Sequence, residues 1–198
     1  MQILLDRWRT WWRARYRRCH QPVLVVVEGS HDIEFLKRIS RILHATDPRL
    51  PNLEQAASNG KILWIPAGGG NLGAWTLRLA ALRLPEVHLY DREMSPETRL
   101  RSELVAAING RSHCHAWLTR KRGLENYLHA SAIREAAGIT LTFGDDDSVA
   151  SHAARAVYES KPHEAAWDML SARVRKRLRD RQALAQHTSR RTHDRLPA

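Results

Sequence analysis

Four carboxylates stand where a divalent cation can be gathered: Glu28 and Asp32 in VLVVVEGSHD, residues 23–32, and Asp91 and Glu93 in LYDRE, residues 89–93. The first pair follows an unbroken apolar, mostly β-branched run, Val23–Val27. Such a run bounded by glycine predicts a strand covered on both faces, as in a parallel sheet. Glu28 then lies at the strand's carboxyl end, where open α/β sheets keep their chemistry. Gly29 permits a tight turn, Ser30 suits the cap of a following helix, and Asp32 falls in that helix's first turn, a place an aspartate also takes for the helix dipole alone. The second pair follows a short strand predicted over Val87–Tyr90. If the two strands are neighbours, four carboxylates share one rim, and like charges that close need a cation. Magnesium, or manganese in its place, suits such an all-oxygen set.

The elements that must position these groups alternate along the chain. Apolar residues at helical spacing predict a helix from the EGSHD turn to about His44, and residues 45–60, with two prolines and a glycine, read as a connecting loop. Ile62–Ile65 is a second short strand. Pro66-Ala67-Gly68-Gly69-Gly70-Asn71 follows it, then a helix over Leu72–Leu84. Strand, glycine turn and helix can bring backbone N–H groups to an anion, or form only a tight turn. The stretch lacks the Lys-Ser/Thr of a P-loop and the spacing of a dinucleotide fingerprint. Ser95 as cap and Pro96 at the first helical position open a helix to about Ile108, and His113–Trp117 reads as a fourth strand. Thr119–Leu128, TRKRGLENYL, is a basic cluster turning into Glu125-Asn126-Tyr127. Helices are expected at Ser131–Ala137, Ser148–Ser160 and His163–Leu184, with Asp145-Asp146-Asp147 read as a solvated turn or helix start rather than a cation site. This order predicts an α/β domain: a mostly parallel sheet of about four strands with helices on both faces, an N-terminal helix before it and C-terminal helices after it.

Composition narrows the partners. A chain of 198 residues fits one main domain with appended helices. The net charge of +11 is uneven: +5 over residues 1–22, about −1 in the middle, +7 over residues 171–198. Two basic ends around a near-neutral body point to a polyanion, nucleic acid first. Residues 2–18, rich in Trp and Arg, predict a helix whose Leu4, Trp8, Trp11, Trp12 and Arg15 share a face; that face packs on protein, or its Trp and Arg residues stack and grip nucleic acid. Cys19 and Cys114 have neither metal spacing nor a disulfide framework, so a reducing cytoplasm fits best. No apolar run approaches a membrane span, and the early apolar residues precede their charges, unlike a signal peptide. The tail from residue 186 reads as disordered.

The Val-rich strand ending in Glu-Gly with Asp a turn later, and the second strand ending in an acidic pair, resemble the Toprim pattern, a Rossmann-like fold found in topoisomerases, bacterial primases, small ribonucleases and OLD-family nucleases. VVVEGSHDIEFL, IPAGGGN, LYDRE and LENYL are similar to the OLD-family branch over about residues 22–130. Asp91-Arg92-Glu93 departs from it, since the usual pattern ends in aspartate. The resemblance implies domains at 1–21 (basic helix), 22–137 (Toprim), 138–185 (helical extension) and 186–198 (tail). It implies Glu28 as metal ligand or general acid/base nearest the scissile phosphate, Asp32, Asp91 and Glu93 as Mg²⁺ ligands, and Glu125 at a second metal. Two metals about 4 Å apart can activate a water and stabilise the leaving oxygen. A late lysine of the family corresponds to Lys161 or Lys176. Lys121 and Arg122, with the C-terminal Arg173, Arg175, Lys176 and Arg177, are the expected nucleic-acid contacts.

OLD-family proteins usually carry an ATPase ahead of the Toprim. This chain has no GxxxxGK[ST], so an ATPase would act as a separate partner. The leading expectation is a Mg²⁺-dependent DNA endonuclease. The alternatives are a nucleic-acid-binding or regulatory Toprim module with a reduced site, and a Toprim ribonuclease.

Overall fold

The computed structural model describes residues 21–68, 72–163 and 165–180. The Trp/Arg helix expected over residues 2–18, the Gly69-Gly70-Asn71 part of the glycine turn and the tail from residue 186 lie outside the described residues. The chain divides into two compact units between Gly123 and Leu124, so the stretch read as Toprim, 22–137, crosses that division.

In the first unit the elements follow as β1 (Val23–Val27), α1 (Ser30–Thr46), α2 (Leu53–Ser58), β2 (Ile62–Pro66), α3 (Leu72–Ala80), β3 (Glu86–Tyr90), α4 (Glu97–Asn109) and β4 (Cys114–Leu118). All four strands pair in parallel, in the order β2-β1-β3-β4. The expected α/β architecture is the one observed. Every residue of β1 and β3 is buried, which is why β1 is apolar throughout rather than alternating. On one face Leu24, Val26, Tyr90, Cys114 and Ala116 pack with Leu72 and Leu79 of α3 and Ile108 of α4. Val23, Val25, Val27, Val87 and Leu89, of opposite parity, are buried as well. Parallel crossovers are right-handed. The step from β1 to β2 runs one way across the sheet and the steps to β3 and β4 run the other way. The helices therefore fall on both faces, α1 and α2 on one, α3 and α4 on the other.

Several boundaries differ from expectation for local reasons. Gly29, not Ser30, is the cap of α1, and Ser30 is its first residue. The stretch 45–60 is not all loop: Asn52 accepts the Gln55 N–H at 3.1 Å and opens α2, whose Leu53 and Ala56 are buried. α3 stops at Ala80 rather than Leu84, with Arg83 left-handed at φ 53°. Pro96 is the cap of α4 rather than its first residue.

The second unit begins with a 3₁₀ turn, Leu124–Tyr127, followed by α5 (Ala130–Ala137), α6 (Val149–Glu159) and a 3₁₀ turn at Trp167–Met169. Residues 172–180 are helical. The single helix expected from His163 to Leu184 is thus interrupted: Trp167 is buried, its ring 5.6 Å from that of Tyr158, and this seating outweighs helical continuity. The aspartate run is a turn. Asp147 accepts the Gly144 N–H at 2.7 Å, and buried Asn126 donates to the carbonyls of Gly144 and Asp147 at 2.8 and 3.0 Å.

Central strand β3 carries a buried polar chain on the face it shares with Leu24 and Val26. Glu86 and His88 are fully buried, and so is Tyr90. His88 Nε2 donates to Glu86 Oε2 at 2.8 Å, leaving Nδ1 to accept the Tyr90 hydroxyl at 2.6 Å. Arg111 donates to the other Glu86 oxygen. Burial pushes the Glu86 carboxyl up, but the hydrogen bonds from His88 and Arg111 outweigh it and hold the carboxyl below its usual range. A carboxylate with a lowered folded pKa contributes stability that is present above the unfolded value of about 4.3 and lost as pH falls through the folded value. Urea unfolding should therefore show this contribution intact at pH 7 and fading below about pH 4. His88→Leu, which strips partners from both Glu86 and Tyr90, should lower the unfolding free energy by about 2–4 kcal/mol, and Tyr90→Phe by about 1 kcal/mol.

Candidate functional site

Glu28 follows β1 directly, and Asp91 follows β3 directly. Because β1 and β3 are hydrogen-bonded neighbours, the two carboxylates come to adjacent strand ends. The Asp91 N–H donates to Glu28 Oε1 at 2.9 Å. The crossovers leave β1 and β3 in opposite directions, so the residues lie at the topological switch point, where open α/β sheets bind ligands.

Arg101 reaches this point from the first half of α4. Its guanidinium forks the Glu28 carboxylate, Nη2 to Oε2 at 3.0 Å and Nη1 to Oε1, and Nη1 also donates to the Asp91 carbonyl at 2.5 Å. The two side chains are only 12% and 17% exposed, so the pair is far better shielded than a surface ion pair. Burial pushes the Glu28 carboxyl above its usual range. Arg101 and the Asp91 N–H pull against that rise without cancelling it, and the nearby charge of Glu93 adds to it.

Asp32 turns back along its own helix, its Oδ2 accepting the Gly29 N–H at 2.8 Å. Glu93 is in the left-handed region at φ 55° and is tied on three sides. Its N–H donates to the Arg122 carbonyl at 2.9 Å, its Oε2 accepts from Arg122 Nε at 3.1 Å, and its carbonyl accepts the Thr98 hydroxyl at 3.0 Å. A non-glycine residue held there is the kind of strain that gathers at functional sites. Gly68, at φ 71°, donates its N–H to the Glu28 carbonyl at 2.8 Å. That N–H therefore serves the strand end rather than an anion.

Buried Thr119 locks a basic loop onto the end of β3. Its N–H donates to the Tyr90 carbonyl at 2.9 Å, while its hydroxyl accepts the Arg92 N–H at 2.8 Å and donates to the Lys121 carbonyl at 2.7 Å. Arg92, Lys121 and Arg122 are thereby brought to the acidic rim. Sequence reasoning missed Arg101, Arg92 and Thr119. Nothing in the spacing of α4 separates Arg101 from Arg99, which instead pairs with exposed Glu103.

The remaining expected residues belong to the second unit. Glu125 is exposed in the 3₁₀ turn. Arg173, Lys176 and Arg177 are exposed on the helical stretch 172–180, where Arg175 is half-buried, and Lys161 is exposed.

The rim suits a hard cation in kind: its donors are all oxygen, Glu28 and Asp91 sit side by side, and Glu93 is near enough for its charge to act on Glu28. Arg101 nevertheless holds Glu28, and among the described residues no three His, Cys, Asp or Glu side chains form a group that could hold a metal ion. Compared with protein-family models, curated proteins and solved structures, the chain matches none.

The tie from Gly68 to Glu28 yields a direct test. A Cβ at Gly68 would meet no atom within 4 Å, so Gly68→Ala carries only the left-handed backbone penalty, about 1–2 kcal/mol. Thermal unfolding should register that loss, while Gly29→Ala, at extended φ −148°, should cost less.

Proposed function

We propose that the chain is a metal-dependent nuclease that hydrolyses DNA phosphodiester bonds at the β1–β3 rim, in the manner of the Toprim domains its motifs resemble. The observation that carries this reading is the placement of Glu28 and Asp91 at adjacent strand ends across the switch point of a parallel sheet. Mg²⁺, with Mn²⁺ in its place, is the cofactor. Glu28, Asp32, Asp91 and Glu93 are its ligands in this reading; Glu125, which the resemblance assigns to a second ion, belongs to the second unit. Bound there, the cation would supply an activated water and neutralise developing charge. The chain's own groups do the rest. Glu28 lies at the strand end with its carboxyl held above its usual range by burial, and in this reading it is the acid/base group nearest the scissile phosphate. Lys121, Arg122 and Arg92 offer positive charge to the phosphodiester backbone. Arg173, Arg175, Lys176 and Arg177 add non-specific grip.

Among the described residues no helix is long and apolar enough to cross a membrane. Cys114 is free and buried, and the reading places the protein in the cytoplasm. An ATPase supplied by another chain fits the resemblance. A second reading, a nucleic-acid-binding module with a retired centre, is favoured by one observation: Arg101 already occupies both oxygens of Glu28.

Supercoiled plasmid incubated with Mg²⁺, Mn²⁺ or EDTA separates the two. The nuclease reading expects nicking only with metal and a loss of about 100-fold or more in Glu28→Gln. The same assay on single-stranded RNA reports the substrate class. Metal-independent binding with no nicking, unchanged in Glu28→Gln, supports the binding module. In either case affinity should fall with salt. Neutralising Arg173, Lys176 and Arg177 together should flatten the log–log salt dependence by about 0.9 for each phosphate that these residues neutralise in the unmodified chain.

A further inference from the structure

The second unit carries a ring stack that the chemistry of the rim does not use. Tyr158, near the end of α6, is fixed on two sides: its hydroxyl donates to the Ala165 carbonyl at 2.8 Å, and its ring lies 5.6 Å from that of buried Trp167. His163 lies flat on it, the ring centroids 3.7 Å apart and the planes 7° from parallel. His163 is exposed, so one face of its ring rests on Tyr158 and the other is open to solvent. The acids next to Tyr158 and Trp167 in the chain, Glu159 and Asp168, are both tied to Arg155, at 2.8 and 3.3 Å.

A row of positive charge begins just beyond Trp167. Ser171 opens the helical stretch 172–180, its hydroxyl accepting the Val174 N–H at 3.3 Å. Arg175, Leu178 and Arg179 are half-buried, and Arg179 donates to the Ser151 hydroxyl at 3.3 Å, so this side of the stretch lies against α6. Arg173, Lys176 and Arg177, at i, i+3 and i+4, are exposed and share the outward face. The stretch starts beside the end of α6 that carries Tyr158 and reaches Ser151 in its first turn. The exposed cations therefore run from the ring stack along α6.

We propose that the open face of His163 is a stacking platform for an unpaired base, with Arg173, Lys176 and Arg177 on the phosphates of the same strand, so that the second unit binds single-stranded nucleic acid. Every base has a π-face, so stacking of this kind tolerates any sequence, while the charges track the backbone. A ring already held flat by Tyr158 loses little freedom when a base arrives. The inference rests on the nucleic-acid part of the reading above and is independent of the cation chemistry at the rim. A stack that only closed the loop after α6 would support folding and leave binding untouched.

Fluorescence anisotropy of the full chain with a labelled thymidine oligonucleotide, beside a duplex of the same length, tests this in unmodified protein, His163→Ala and His163→Phe. His163→Ala should weaken single-strand binding about 5- to 100-fold and leave duplex binding within about twofold. His163→Phe, which keeps a flat ring without the imidazole, should restore the affinity. Single-strand binding unchanged in His163→Ala, or an equal loss on both probes, overturns the platform and leaves the nucleic-acid reading standing. No binding of either probe by the unmodified chain overturns both. Proton NMR of the unmodified chain decides the matter independently, with His163→Phe assigning the signal. A stacked base should move the His163 ring protons upfield, and ring protons unmoved at saturating oligonucleotide overturn the proposal.

Discussion

Right-handed crossing between parallel strands is the constraint from which the rest of the first unit follows. One crossover runs outward from β1 to β2, and the next must return past β1 to lay β3 on its other side. The reversal gives the sheet helices on both faces, buries β1 and β3 completely, and puts the topological switch point at the carboxyl ends of those two strands. Glu28 and Asp91 are the first residues beyond those ends. The loops that follow, held by Thr119 and Gly68, fold around them.

The same unit buries charge in two ways. Inside the sheet, Glu86 is fully satisfied by His88 and Arg111, and His88 in turn by Tyr90. Each polar atom has a partner, which is what a low-dielectric interior demands. At the rim, Glu28 is also paired, yet burial still holds its carboxyl above the ordinary range. The closed network lowers its carboxyl and the rim pair does not, although each includes an arginine. The difference lies in desolvation, which outweighs the hydrogen bonds at Glu28 and is outweighed by them at Glu86, and in the neighbouring negative charge of Glu93 at the rim.

Legibility varied with the range of the interaction involved. The Val-rich strand, the glycine after Glu28 and the helix after it are local consequences of β-branching and turn chemistry, and they are where the pattern put them. Helix α2 was missed because two prolines and a glycine masked the Asn52 cap and the buried Leu53–Ala56 pair. The break near Trp167 was missed because helical spacing continues through it, while a buried indole decides the backbone path. Arg101 was missed for the same reason: an arginine in α4 looks like its neighbours until the helix is docked.

The amino-acid order by itself determined the strand and helix types, the acidic residues that end two strands, and the basic ends of the chain, because propensity, burial pattern and charge are properties of neighbouring residues. Only the tertiary structure decided that those two strands are adjacent. The hydrogen bond from Asp91 to Glu28 spans 63 residues, and the clamp from Arg101 spans 73. Contacts at that separation depend on the direction of each crossover and on which helix packs over which strand. No periodicity within a segment encodes either one.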